Sequence, residues 1–83
     1  MKVTIKYFAS IREALGTGNE SLDTTAPTLA ALRDELLARG GAYAVALARG
    51  RAVRLAINQA LSDEAAPLLE GAEVAFFPPV TGG

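Results

Sequence analysis

Both ends of the chain carry a two-residue apolar period, and this constrains the fold more than any other feature. In KVTIKY (2–7), Val3, Ile5 and Tyr7 fall on one side, with Lys2, Thr4 and Lys6 on the other. That is the pattern of a strand buried on one face. AEVAFF (72–77) repeats it, with Val74 and Phe76 in the buried phase. Between these strands lies one strong helical signal. Pro27-Thr28 opens it, Thr28 is placed to cap it, and Leu29, Leu32 and Leu36 recur at three- and four-residue spacing with Leu37 beside them. Gly40-Gly41 close it. A chain of 83 residues without cysteine has no disulfide to staple it, so burial of this pattern must hold it together.

Weaker signals fill the gaps. In SIREALG, Ser10 and Glu13 have capping-box spacing and Gly16 is a fitting stop, which predicts a helical turn over 10–15. NESLDT (19–24) reads as a short strand. AVRLAIN (52–58) alternates through Val53, Leu55 and Ile57, and an Asn58-Gln59 turn leads to a brief return strand at Ala60-Leu61. SDEAAPLLEG reads as a turn-rich connection, and residues 42–50 stay open between helix and loop. The order predicts one α+β domain over 1–83, a mixed sheet of four to five strands with one main helix packed on one face. With the first and last strands both central, the arrangement is a β-grasp. Residues 78–83 form a projecting tail.

Missing residue types narrow the chemistry. Without cysteine there is no thiolate, and without histidine the commonest general base and transition-metal ligand are gone. Ser10, Ser21 and Ser62 have no histidine to activate them, and lysine occurs only at Lys2 and Lys6. The chain is therefore expected to have no active site of its own and to bind no cofactor or metal. A net charge of −1 points away from nucleic acid and anionic membranes. No apolar run approaches the ~18–20 residues of a membrane span, and MKVTIKYF is unlike a signal peptide, so a cytoplasmic location is expected.

The strand phase also marks exceptions. Phe8 and Phe77 fall outside the buried phase of their strands, and Leu61 sits on or near a neighbouring short strand. Contiguous exposed apolar residues mark partner sites, so these three are expected to dock a protein. Pro78 and Pro79 cannot donate to a sheet ladder and hold the chain extended as it leaves the body. Gly82 and Gly83 make the end of the tail slender enough for a narrow channel. The carboxylate at Gly83 is then the one unusual functional group. Ionised at neutral pH, it is a poor electrophile and needs activation, for instance as a mixed anhydride with AMP made by a partner from ATP.

FASIREALG, AINQALSDEAAPLLEGAEVAFF and VAFFPPVTGG together resemble the molybdopterin synthase small-subunit family across nearly the whole chain. The match is weakest over 40–52. The resemblance implies a ubiquitin-like β-grasp fold. It also implies that Gly83, preceded by slender Gly82, is adenylated by a ubiquitin-activating-type adenylyltransferase using ATP, then converted to a thiocarboxylate with sulfur from a sulfurtransferase. Pro78, Pro79, Val80 and Thr81 would run into the large subunit, where the sulfur passes to cyclic pyranopterin monophosphate. Phe8, Leu61 and Phe77 match the family's hydrophobic contact, and the assembled enzyme is usually a heterotetramer. Arg12 matches the family's arginine in FAxxRE, though a solvated helix-face charge is its simpler reading. Arg49, Arg51 and Arg54 make a basic cluster, read as a solvated loop in preference to a phosphate site. A thiazole-synthesis sulfur carrier, a ubiquitin-like modifier conjugated to lysines, and an interaction domain with a chemically inert tail stay open as alternatives.

Overall fold

Residues 1–79 are described by the structure, a computed structural model. Along them run β1 (Lys2–Tyr7), α1 (Ala9–Leu15), β2 (Asn19–Asp23), α2 (Leu29–Leu37), α3 (Gly41–Ala46), β3 (Arg54–Ile57), β4 (Ala60–Ser62) and β5 (Glu73–Phe77). The sheet order is β2-β1-β5-β3-β4. β1 and β5 pair in parallel at its centre, from Thr4↔Glu73 to Tyr7↔Phe76, and the other pairings are antiparallel. The two most clearly alternating segments thus meet in mid-sheet, and the expected β-grasp arrangement forms.

One face of the sheet carries the core. Val3, Ile5, Tyr7, Val74 and Phe76 are fully buried against Leu29, Leu32, Leu36 and Leu47. The Tyr7 ring stacks on Phe76 with centroids 6.0 Å apart, and Tyr43 meets Tyr7 edge-on at 6.3 Å. Burying each large side chain contributes roughly 1.5–3 kcal/mol. The leucine spacing of α2 directs Leu29, Leu32 and Leu36 to this core, and Thr28 caps the helix by accepting from the Ala31 N–H at 3.2 Å.

The first helix starts differently from expectation. Ser10 and Glu13 form no capping box, because α1 begins at Ala9 and Ser10 lies inside it. The N-cap position belongs to Phe8, whose side chain makes no cap. Its backbone does the work: the Phe8 N–H donates to the Phe76 carbonyl (3.1 Å), and its own carbonyl accepts from Ile11 (3.1 Å) and Arg12 (3.3 Å). Ala9 makes the sharp turn at φ 51°, and Gly16 ends the helix in the left-handed region at φ 74°. Residues left open between helix and loop resolve as α3 over Gly41–Ala46, followed by loop. Regular strand over 52–58 shrinks to Arg54–Ile57. Leu55 is buried as expected, while Val53, just before the strand, and Ile57 are only partly so.

Two polar clusters tie the helices down. Glu20, on β2, accepts from Tyr7 (2.9 Å), Tyr43 (3.1 Å) and Arg39 (3.0 Å), and Arg39 also lies over the Tyr43 ring. Burial pushes the Glu20 carboxyl up, but the bonds from Arg39, Tyr7 and Tyr43 outweigh it and hold the group below its ordinary value. Burial, reinforced by the bond to Glu20, pushes the Tyr7 phenol well above its ordinary range. The second cluster centres on Arg33, only 4% exposed. It donates from Nε to the Leu47 carbonyl (2.8 Å) and from Nη2 to the Ala48 carbonyl (3.0 Å), anchoring the chain just after α3. Arg49 corrects the expectation of a wholly solvated basic loop. It pairs with Asp34 and with Glu64 (2.7 Å) and donates to the Ala30 carbonyl (3.2 Å), clamping its loop onto α2.

Candidate functional site

On the sheet face opposite the core, strand alternation brings a separate set of side chains together. The floor is made of two alanines, Ala56 and Ala75, paired across β3 and β5. Phe8, Leu61 and Phe77 rise around it, with Pro78 and Pro79 at one end, forming an open basin of about 630 Å³. Phe8 is 45% and Leu61 68% exposed, while Phe77 is half-buried. Phe8 does not tuck beneath the first helix. At the polar rim Lys6 pairs with Glu73 at 3.4 Å.

Local geometry explains how each wall is placed. Phe8 is held by its backbone bonds to Phe76 and α1 and turned outward at the Ala9 bend. Leu61 is delivered by the β3–β4 hairpin, where Leu61 pairs with Ala56. Both turn residues, Asn58 (φ 50°) and Gln59 (φ 69°), are left-handed, as a two-residue hairpin of type I′ requires. Asn58 adopts that conformation readily and bonds β5 in both directions. Its N–H donates to the Glu73 carbonyl (2.8 Å), and its Oδ1 accepts from the Glu73 N–H (3.0 Å). The hairpin is thereby locked in register with the wall made by Phe77.

Phe77 ends β5 because Pro78 and Pro79 have no N–H to continue the ladder. Five of the residues singled out from sequence, Phe8, Leu61, Phe77, Pro78 and Pro79, therefore line one surface at the root of the tail. Val80, Thr81, Gly82 and Gly83 lie outside the described residues. Sequence reasoning missed the floor. Ala56 and Ala75 carry no distinctive pattern, and only the cross-strand register shows that two small side chains coincide. Val45 and Leu69 are also exposed, but they stand outside the basin.

Chemically, the basin offers apolar shape and little else. Among the described residues no acidic cluster suits a metal ion, and no buried side-chain polar atom lacks a partner. No described helix is long and apolar enough to cross a membrane. A parallel β1–β5 centre, a helix across one face and an open apolar basin on the other define a ubiquitin-like β-grasp protein with an exposed apolar surface where Pro78 leaves the sheet.

The family model described as "ThiS family" matches residues 5–83, and the chain belongs to that family. It is 42% identical to the molybdopterin synthase sulfur carrier subunit of Escherichia coli K12, over 98% of this chain and 99% of that one. Its fold is similar to that of a putative molybdopterin converting factor subunit 1 from Pyrococcus furiosus (TM-score 0.79, 25% identity, 96% of this chain and 99% of that one). A chain in the complex of subunits 1 and 2 of the molybdopterin-converting factor from Helicobacter pylori is also similar (TM-score 0.71, 26% identity, 100% of both chains).

Proposed function

We propose that this protein is a sulfur carrier in molybdenum cofactor biosynthesis, and that its basin docks the large subunit of molybdopterin synthase. The observation that carries the reading is the coincidence of Phe8, Leu61 and Phe77 in one exposed apolar surface where Pro78-Pro79 leave the sheet. A likeness of 42% identity to a sulfur carrier subunit, and a fold match to a chain seen with its subunit 2, support it.

In this mechanism the body is a rigid handle and the chemistry sits at Gly83. The carboxylate attacks the α-phosphorus of ATP on a ubiquitin-activating-type adenylyltransferase, and pyrophosphate leaves. A sulfurtransferase persulfide then attacks the acyl carbon and displaces AMP, and a reducing thiol cleaves the resulting acyl disulfide, leaving a thiocarboxylate and a disulfide on the donor side. The loaded chain docks through the basin, its tail enters the large subunit, and sulfur passes to cyclic pyranopterin monophosphate. Two such chains flanking a large-subunit dimer make the heterotetramer. A location in the cytoplasm suits these partners.

The test is direct. Incubated with its activating enzyme, ATP and a sulfur donor, the chain gains the mass of one oxygen-for-sulfur exchange at Gly83 and then supports molybdopterin formation with the large subunit. Extending the chain by one alanine after Gly83 abolishes both while leaving the circular dichroism spectrum unchanged. An extended chain that retained its alanine and still supported molybdopterin formation would refute the reading. Thiazole formation, or conjugates that survive denaturant and reductant, in place of molybdopterin would do so too.

A further inference from the structure

Two exposed arginines lie near the point where the chain leaves the sheet at Pro78. Arg54 stands opposite Phe77 in the β3–β5 register, and Arg51 shares a small hollow with Pro78; both are exposed. Three of the other arginines are engaged elsewhere, while Arg12, in the last turn of α1, is exposed and has no acidic partner among the described residues. Arg33, Arg39 and Arg49 are ion-paired, and Arg12 packs its side chain over Gly18. Lys6 is paired with Glu73, and Lys2 begins β1 at the end of the sheet away from the tail. Among the described residues, Arg51 and Arg54 have no acidic partner. In a chain of net charge −1, two of the cations without an acidic partner among the described residues thus lie together near the root of the tail.

We propose that Arg51 and Arg54 meet an acidic rim around the mouth of the partner's channel and steer the tail into it. The inference rests on the docking reading above and adds the chemistry of the surface that receives it. A phosphate of the pterin or nucleotide would also suit arginine, but reach argues against it. Residues 78–83 span up to about 20 Å when extended, and two prolines favour that state. A substrate at the tip then lies far beyond side chains rooted beside Phe77 and Pro78. Their counterpart is protein at the channel mouth.

Stopped-flow association of the full chain with the molybdopterin synthase large subunit of the same organism, over a sodium chloride series, tests this. The wild-type on-rate falls as salt rises. The double variant Arg51→Glu/Arg54→Glu associates about tenfold or more slowly at low salt, with a flattened salt dependence and little change in off-rate. Arg51→Gln/Arg54→Gln falls between. Unchanged on-rates and salt dependence in both variants overturn the proposal. So does normal association with slowed sulfur transfer in the preformed complex, which assigns the arginines to the substrate phosphate. Phe77→Asp separates the two levels. If it associates like wild type, the docking face itself is refuted; if it fails while the arginine variants are inert, only the steering role falls.

Discussion

Replacing Arg33 with methionine is the sharpest test of how this fold is held. Arg33 is 4% exposed and its guanidinium serves two carbonyls, Leu47 at 2.8 Å and Ala48 at 3.0 Å, with Glu64 3.9 Å away. Hydrogen bonds to a charged group are worth about 1.5–3 kcal/mol each, so the pair accounts for about 3–6 kcal/mol. Part of that is returned, because methionine needs no buried charge and water can reach the freed carbonyls. Burial already lowers the Arg33 pKa, with Glu64 acting in the opposite direction. A net loss of about 2–4 kcal/mol is expected, against a total of about 4–12 kcal/mol for a domain of this size. In thermal unfolding followed by circular dichroism, that lowers Tm by about 10–25 °C. Arg33→Lys should fall between, since one ammonium on a flexible stem does not match a fork spanning two carbonyls. If Arg33→Met unfolds within about 0.5 kcal/mol of wild type, the two bonds do not anchor the loop and the reasoning fails.

Three other outcomes follow from the same geometry. Gln59→Gly relieves a left-handed non-glycine residue worth about 1–2 kcal/mol, less about 0.5–1 kcal/mol of added chain entropy. Urea unfolding should therefore show a gain of roughly 0.5–1 kcal/mol, and a loss would disprove the turn assignment. Glu20 ionises more readily folded than unfolded, so its stabilising contribution is complete above its ordinary pKa of 4.5 and disappears as pH falls through the lower folded value. Glu20→Gln should lower Tm at pH 7 and flatten the acid limb of a Tm–pH series; parallel curves would show that the network contributes nothing. Ala75→Glu places a charge on the basin floor facing away from the core, so it should leave the fold intact. It should weaken large-subunit binding about 10²–10³-fold in calorimetry by burying an unpaired carboxylate, and undiminished affinity would remove the floor from the interface.

Much of this was legible because strand and helix periods are local. Two-residue alternation placed Val3, Ile5, Tyr7, Val74 and Phe76 in the core and singled out Phe8 and Phe77 as outsiders. Leucine spacing and Thr28 located α2. The same spacing places Arg33 on the buried stripe, four residues after Leu29 and three before Leu36. Ser10 and Glu13 misled because capping-box spacing competes with backbone bonds from Phe8, which depend on β5. The short third helix has no apolar stripe long enough to outweigh its loop-like flanks.

The amino-acid order by itself determined the strands at each end, the main helix, the break at Pro78 and the absence of thiol or imidazole chemistry, since each depends only on neighbouring residues. Tertiary structure alone decided that Leu61 would stand beside Phe8 and Phe77, that two alanines would form the floor between them, and that Arg49 would be clamped while Arg51 and Arg54 found no acidic partner among the described residues. These are relations across strands and loops far apart in the chain. The physical reason is that pleat and helical repeat are local properties, whereas register and ion pairing are fixed only when distant segments pack.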